Sequence, residues 1–174
     1  MKHPLPVALV VLGGLVACTG KPADPTVQFS TIGFALTLPP AMQKALDAAA
    51  PGFRMVTPDK FRSDVSQQSA LGSGRIDPLF ATIADFDGDG NKDAIVEGSV
   101  PGDSALHVVA IMNGHTPHAF EVTSYASYDA DAVGVYLTEA PGGRAGAFEV
   151  VDYPDASYVF TYANGKFSGA KVGN

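Results

Sequence analysis

Nine residues constrain this chain more than any other stretch: Asp85-Phe86-Asp87-Gly88-Asp89-Gly90-Asn91-Lys92-Asp93. They place four carboxylates in one short segment, where the charges repel one another unless a cation meets them. Oxygen donors at positions 1, 3 and 5, a glycine at position 6 and further oxygens at 7 and 9 suit a hard cation, calcium above all. The expected ligands are Asp85, Asp87 and Asp89, the backbone carbonyl of Asn91, and Asp93 directly or through water. Gly90 permits the sharp bend. A helix–loop–helix calcium site needs a bidentate Glu at position 12. Here that position is Val96, with Glu97 one later, and the flanks are strand-like rather than helical. The expectation is a calcium loop joining two strands. The plainer alternative is a solvated acidic turn, since aspartates favour turns without any metal.

The segment 81–96 resembles one unit of the FG-GAP or VCBS repeat: a hydrophobic lead-in, the acidic loop, then the apolar Ala94-Ile95-Val96. The resemblance implies calcium at Asp85, Asp87, Asp89, Asn91 and Asp93. Family members build propellers from several such units, and this chain has one copy and no internal repeat. A full propeller is therefore not expected, and the family's adhesive and lectin-like roles do not carry over. Affinity on the order of 0.1–1 mM suits an extracellular module. The C-terminal half also resembles small secreted bacterial proteins with one such loop and a Gly165-Lys166-Phe167 step shortly after Tyr162, a likeness that implies no activity.

The N-terminus speaks to location. Lys2 and His3 precede an apolar run, 5–17, broken by Pro6 and Gly13-Gly14. The run is short of the roughly 20 residues a membrane-spanning helix needs, and it reads as a secretory signal. Its end, Leu15-Val16-Ala17-Cys18, resembles a bacterial lipobox. That likeness implies cleavage before Cys18, acylation of that cysteine and anchoring to a membrane. Thr19 in place of Asp resembles the pattern sorted to the outer membrane. The alternative is an ordinary signal peptide with a chance cysteine. Cys18 is the chain's one cysteine, so acylation leaves no thiol for a disulfide, zinc or a nucleophile. The expected organisation is a signal peptide at 1–17, lipidated Cys18 and a polar tether at 18–26, and one β-rich domain at 27–174. The formal net charge of −7 argues against a nucleic-acid partner.

Within the domain, 27–38 reads as one strand and 41–50 as a short helix. Pro39-Pro40 opens the helix, Pro51-Gly52 stops it, and Met42, Ala45, Leu46 and Ala49 recur at helical spacing. Residues 57–78 are polar and weakly periodic, which predicts a surface excursion. Strands are expected at 79–84, 94–100, 106–113, 120–125, 133–139 and 147–153. A last hairpin turns at Asn164-Gly165, a pair that supplies the positive φ angles of a type I′ turn. The fold class is mainly β: an antiparallel sheet domain with one short N-terminal helix.

Other chemistry is thinly signalled. His115 and His118, with His107, could contribute to zinc, but a Pro-containing turn is a poor frame for a closed four-ligand site. No Gly-x-Ser-x-Gly elbow occurs, and 71–75 is neither a Walker loop nor a Rossmann fingerprint. Glu139, Glu149, Asp152 and Asp155 could include a glycosidase pair, which requires defined separations across a cleft. Tyr153, Tyr158, Phe160 and Tyr162 could form a binding face, though cross-strand packing explains them more simply. The expected function is non-catalytic: a calcium-binding, lipid-anchored envelope protein that contacts a protein or glycan. Two alternatives stay open, an inhibitor or immunity lipoprotein against an envelope-acting enzyme, and an envelope hydrolase.

Overall fold

The structure, a computed structural model, describes residues 20–30, 33–67, 79–126, 129 and 131–172. Cys18 and the apolar run before it lie outside the described residues. The described chain is mainly antiparallel β, in three sheets, with neither a closed barrel nor a propeller among them. It begins with strands β1 (Thr26–Ser30) and β2 (Gly33–Thr37), which pair with each other from Thr26↔Thr37 to Ser30↔Gly33. The sequence predicts one strand over 27–38; there are two. The apolar positions change phase at the reversal, from Val27 and Phe29 to Phe34, Leu36 and Leu38, and the antiparallel register sets Val27 opposite Leu36 and Phe29 opposite Phe34.

Helix α1 (Pro40–Ala49) follows. Pro40 occupies its first turn, where no backbone donor is missed, and Gln43 N–H donates to Pro39 O at 2.9 Å. Met42 and Leu46 are buried, whereas Ala49 is exposed. The apolar stripe is thus narrower than its spacing suggests. The helix packs on the next sheet at its β6–β7 side.

That sheet contains β3 (Arg54–Met55), β4 (Ala81–Ala84), β5 (Asp93–Ser99), β6 (Leu106–Met112) and β7 (His118–Tyr125). β3 and β4 pair with different parts of β5, which pairs with β6, which pairs with β7. Every residue of β6 is buried, His107 included, as apolar residues on both alternating sets of positions predict. The remaining sheet has the order β11-β10-β9-β8, made of β8 (Val135–Glu139), β9 (Ala147–Asp152), β10 (Ala156–Ala163) and β11 (Lys166–Val172). Asn164 (φ 53°) and Gly165 (φ 79°) form the last turn, both left-handed as expected.

Aromatic rings join the two large sheets. Phe148 of β9 is fully buried and lies 5.2 Å from Phe167 and 5.3 Å from Phe160, centroid to centroid. Phe120 of β7 reaches Phe167 from the opposite sheet at 6.3 Å. Backbone bonds close one seam: Leu137 N–H donates to Leu79 O at 2.7 Å, and Phe61 bridges Val133. This seam corrects part of the surface excursion expected over 57–78. Phe61 and Val65 are core residues, with Val65 at 0% exposure. Residues 68–78 lie outside the described residues. Polar composition hid the anchor because two apolar side chains suffice to hold the segment down.

Glu97 of β5 is wholly buried, and neither carboxyl oxygen has a hydrogen-bond partner among the described residues. Burial pushes its pKa well above the ordinary glutamate range, so the neutral acid is the form the core tolerates. The folded state holds this proton more tightly than the unfolded chain. The associated stability is complete in acid and falls as pH rises through the raised pKa. Glu97→Met should therefore stabilise the domain by about 1–3 kcal/mol at pH 8 and by less at pH 5, read from urea midpoints at both pH values.

Candidate metal centre

The acidic loop connects β4 to β5, whose last register pair is Ala84↔Asp93. It is a β-hairpin connection, as the strand-like flanks predict. Gly88 (φ 80°) and Gly90 (φ 87°) take left-handed conformations that other residues adopt only with strain. The aspartates then cap the loop's own backbone. Asp85 accepts N–H bonds from Gly88 at 2.8 Å and Gly90 at 3.0 Å. Asp87 accepts Asp89 N–H at 3.1 Å, and Asp89 accepts Asn91 N–H at 2.7 Å. These successive Asx-type bonds curl the segment inward.

The curl brings Asp85, Asp87 and Asp89 together. One carboxylate oxygen from each lies within 4.8 Å of the others. Asp87 and Asp89 are exposed, and Asp85 is half-buried. Among the described residues no other group of three metal-binding side chains converges in this way. Three hard oxygens on one side of a tight loop fit calcium by donor chemistry. The Asn91 side chain donates to Asp89 at 2.9 Å.

Asp93 does different work. It is completely buried, and both its oxygens accept backbone N–H bonds, from Phe86 at 2.9 Å and Asn113 at 2.7 Å. Burial pushes its pKa up to about 6, opposed by those two donors and reinforced by the charges of Asp87 and Asp89. It stands outside the converging three. Its oxygens clamp the loop's start to the β6–β7 turn.

Three contributors escaped sequence reasoning. Phe86 is buried between half-buried Asp85 and exposed Asp87, edge-on to Phe148 at 5.9 Å and Phe167 at 5.7 Å, and so roots the loop in the far sheet. Gly146 approaches from that sheet so closely that a Cβ there would lie 3.0 Å from Phe86 O. Asn113 is the third, and its side chain also donates to Ala23 O at 3.0 Å. That bond lays part of the stretch expected as a tether, 18–26, against the domain. Of the part described, Pro25 is buried, and Asp24 accepts Lys92 N–H at 3.0 Å. The Lys92 bond, with help from Lys21, holds the Asp24 carboxyl below its usual range despite some desolvation. Lys92 of the loop and Asn113 of the β6–β7 turn supply the partners that fix this polar stretch.

The other candidates do not assemble. His115 and His118 are exposed, and His118 stacks on Phe120 at 5.9 Å. His107 is buried in β6, with Nδ1 2.6 Å from Glu121 and Nε2 3.3 Å from Asp103 but misaligned for a hydrogen bond. Glu139 lines a cavity of about 390 Å³ with Lys92, whereas Glu149, Asp152 and Asp155 do not line it. Phe160 stacks on Phe148, Tyr162 lies 5.1 Å from Phe167, and Tyr153 and Tyr158 pack against the core. Comparison with protein-family models, curated proteins and solved structures returned no match.

Asp93→Ala leaves two buried N–H groups unpaired and should destabilise the metal-free domain by about 2–4 kcal/mol. Asp93→Asn, which keeps an acceptor, should lose less. Urea unfolding in the presence of a chelator measures both. In the same buffer, the Asp93 contribution to wild-type stability is complete below the unfolded pKa of 3.8. It falls as pH rises through about 6, so this group favours pH 5 over pH 7.

Proposed function

We propose that this is a non-catalytic, calcium-binding protein of the bacterial envelope, lipid-anchored at Cys18 and sorted to the outer membrane. Its β domain contacts a protein or glycan. The observation that carries the reading is the convergence of Asp85, Asp87 and Asp89 on the curl made by Gly88 and Gly90. Calcium would bind these three, with the Asn91 carbonyl and water completing the shell, while Asp93, expected as a fifth ligand, holds the loop from beneath. Its chemistry there is charge neutralisation and stiffening of the β4–β5 connection. The lipobox-like Leu15-Val16-Ala17-Cys18 supports the anchor.

Calcium titration calorimetry on residues 19–174 tests the metal site. One site with Kd on the order of 0.1–1 mM is expected, abolished in Asp87→Ala/Asp89→Ala. At ten times Kd, calcium should add about 1.4 kcal/mol to stability. A silent titration with an unchanged melting temperature would overturn the reading. The anchor is tested by metabolic palmitate labelling in a bacterial host: label should be present in the wild type and absent in Cys18→Ser.

A further inference from the structure

We propose that the cavity at the seam between the two large sheets binds a short peptide with free ends, its carboxylate on Lys92 and its α-ammonium on Glu139. The site uses none of the loop's carboxylates and requires neither calcium nor the lipid anchor. The seam itself opens the space. β4 and β8 are edge strands of different sheets, drawn together by the backbone bond from Leu137 N–H to Leu79 O. Beyond that bond they belong to separate ladders. A cavity of about 390 Å³ lies between residues 81–83 and 137–139, with residues 25–27 as a further wall. Sites for small ligands have volumes of about 300–1,000 Å³.

The charged lining is one cation and one acid, Lys92 and Glu139. Neither side chain forms an ion pair or hydrogen bond with the other or with any described residue. Asp24, close to Lys92 in space, has both oxygens engaged, one by Lys92 N–H and the other by Lys21. Two opposite charges held apart on one cavity match a ligand that carries both. A plain anion would also meet Glu139, and a plain cation Lys92, so the lining disfavours either. The rest of the wall suits a peptide body. The hydroxyls of Thr26, Thr82 and Thr138 have no partners among the described residues, and each can donate to or accept from an amide. Ile83 and Leu137 offer an apolar wall to a small side chain. No aromatic ring lines the cavity, so the flat face of a sugar finds no stacking partner. An extended tripeptide of small residues spans about 10 Å, a length such a cavity can hold. A second cavity, of about 330 Å³, shares Glu139 and adds Arg144, but Asp85 lines it too and opposes a carboxylate there.

Trialanine, its N-acetyl form and its C-terminal amide are the probes, titrated into the full chain in chelator and followed by amide NMR. Trialanine should shift the amides of Thr82, Leu137 and Thr138 saturably, with Kd on the order of 0.1–1 mM. Acetylation and amidation should each weaken binding by about 3- to 10-fold. Glu139→Gln should lose only the response to acetylation, and Lys92→Gln only the response to amidation, while Arg144→Gln should keep both. A trialanine titration without saturable shifts, or with shifts away from the cavity, overturns the site. So does a blocked end that costs nothing, or loss of the amidation response in Arg144→Gln rather than in Lys92→Gln. The three peptides on the wild type need no variant, so misfolding of a variant would not spare the proposal. Chelator separates this test from the metal reading, which calcium calorimetry decides on its own.

Discussion

The two backbone bonds to the buried carboxylate of Asp93 hold the loop end of this molecule together. One comes from Phe86 at the start of the loop and the other from Asn113 in the β6–β7 turn. Without an acceptor there, two N–H groups would be buried unpaired, a cost comparable to a sizeable share of a small domain's stability. Accepting them ties the start of the loop to the β6–β7 turn. That tie aims Phe86 into the far sheet and leaves Asp85, Asp87 and Asp89 curled on the outer side.

The acids therefore divide by environment. Asp87 and Asp89 stay in water, where mutual repulsion is screened and a cation can reach them. Asp93 is desolvated and spends its oxygens on the backbone. The loop combines an exposed outer face with a buried root. Glu97, four residues on in β5, is the contrasting case: equally buried, but with no donor among the described residues to meet it.

Much of this was legible in the sequence because it is local. Alternation located β6 and most of the later strands, Asn164-Gly165 marked its turn, and the Asp-x-Asp-x-Asp-Gly spacing marked a curled acidic loop. The misses share a cause. The β1–β2 reversal shows in the sequence only as a shift of apolar phase between Phe29 and Phe34, with Gly33 its single glycine, so the stretch reads as one strand. Residues 20–25 have the composition of a linker, but Asp24 and Ala23 find partners 68 and 90 residues away. Phe86 occupies a position of the loop where any residue would do in a ligand pattern, so nothing in the pattern marks it as an anchor.

The sequence by itself determined the short-range features: strand periods, the two left-handed glycines of the loop, and three carboxylates spaced to face one point. These depend on backbone geometry within a few residues, which local chemistry dictates. Only the tertiary structure decided that Asp93 turns inward while its neighbours turn out, and that the N-terminal stretch lies against the loop. Both outcomes depend on desolvation and on donors supplied by Asn113 from another turn of the chain. Burial and long-range hydrogen bonding exist only once the sheets have packed.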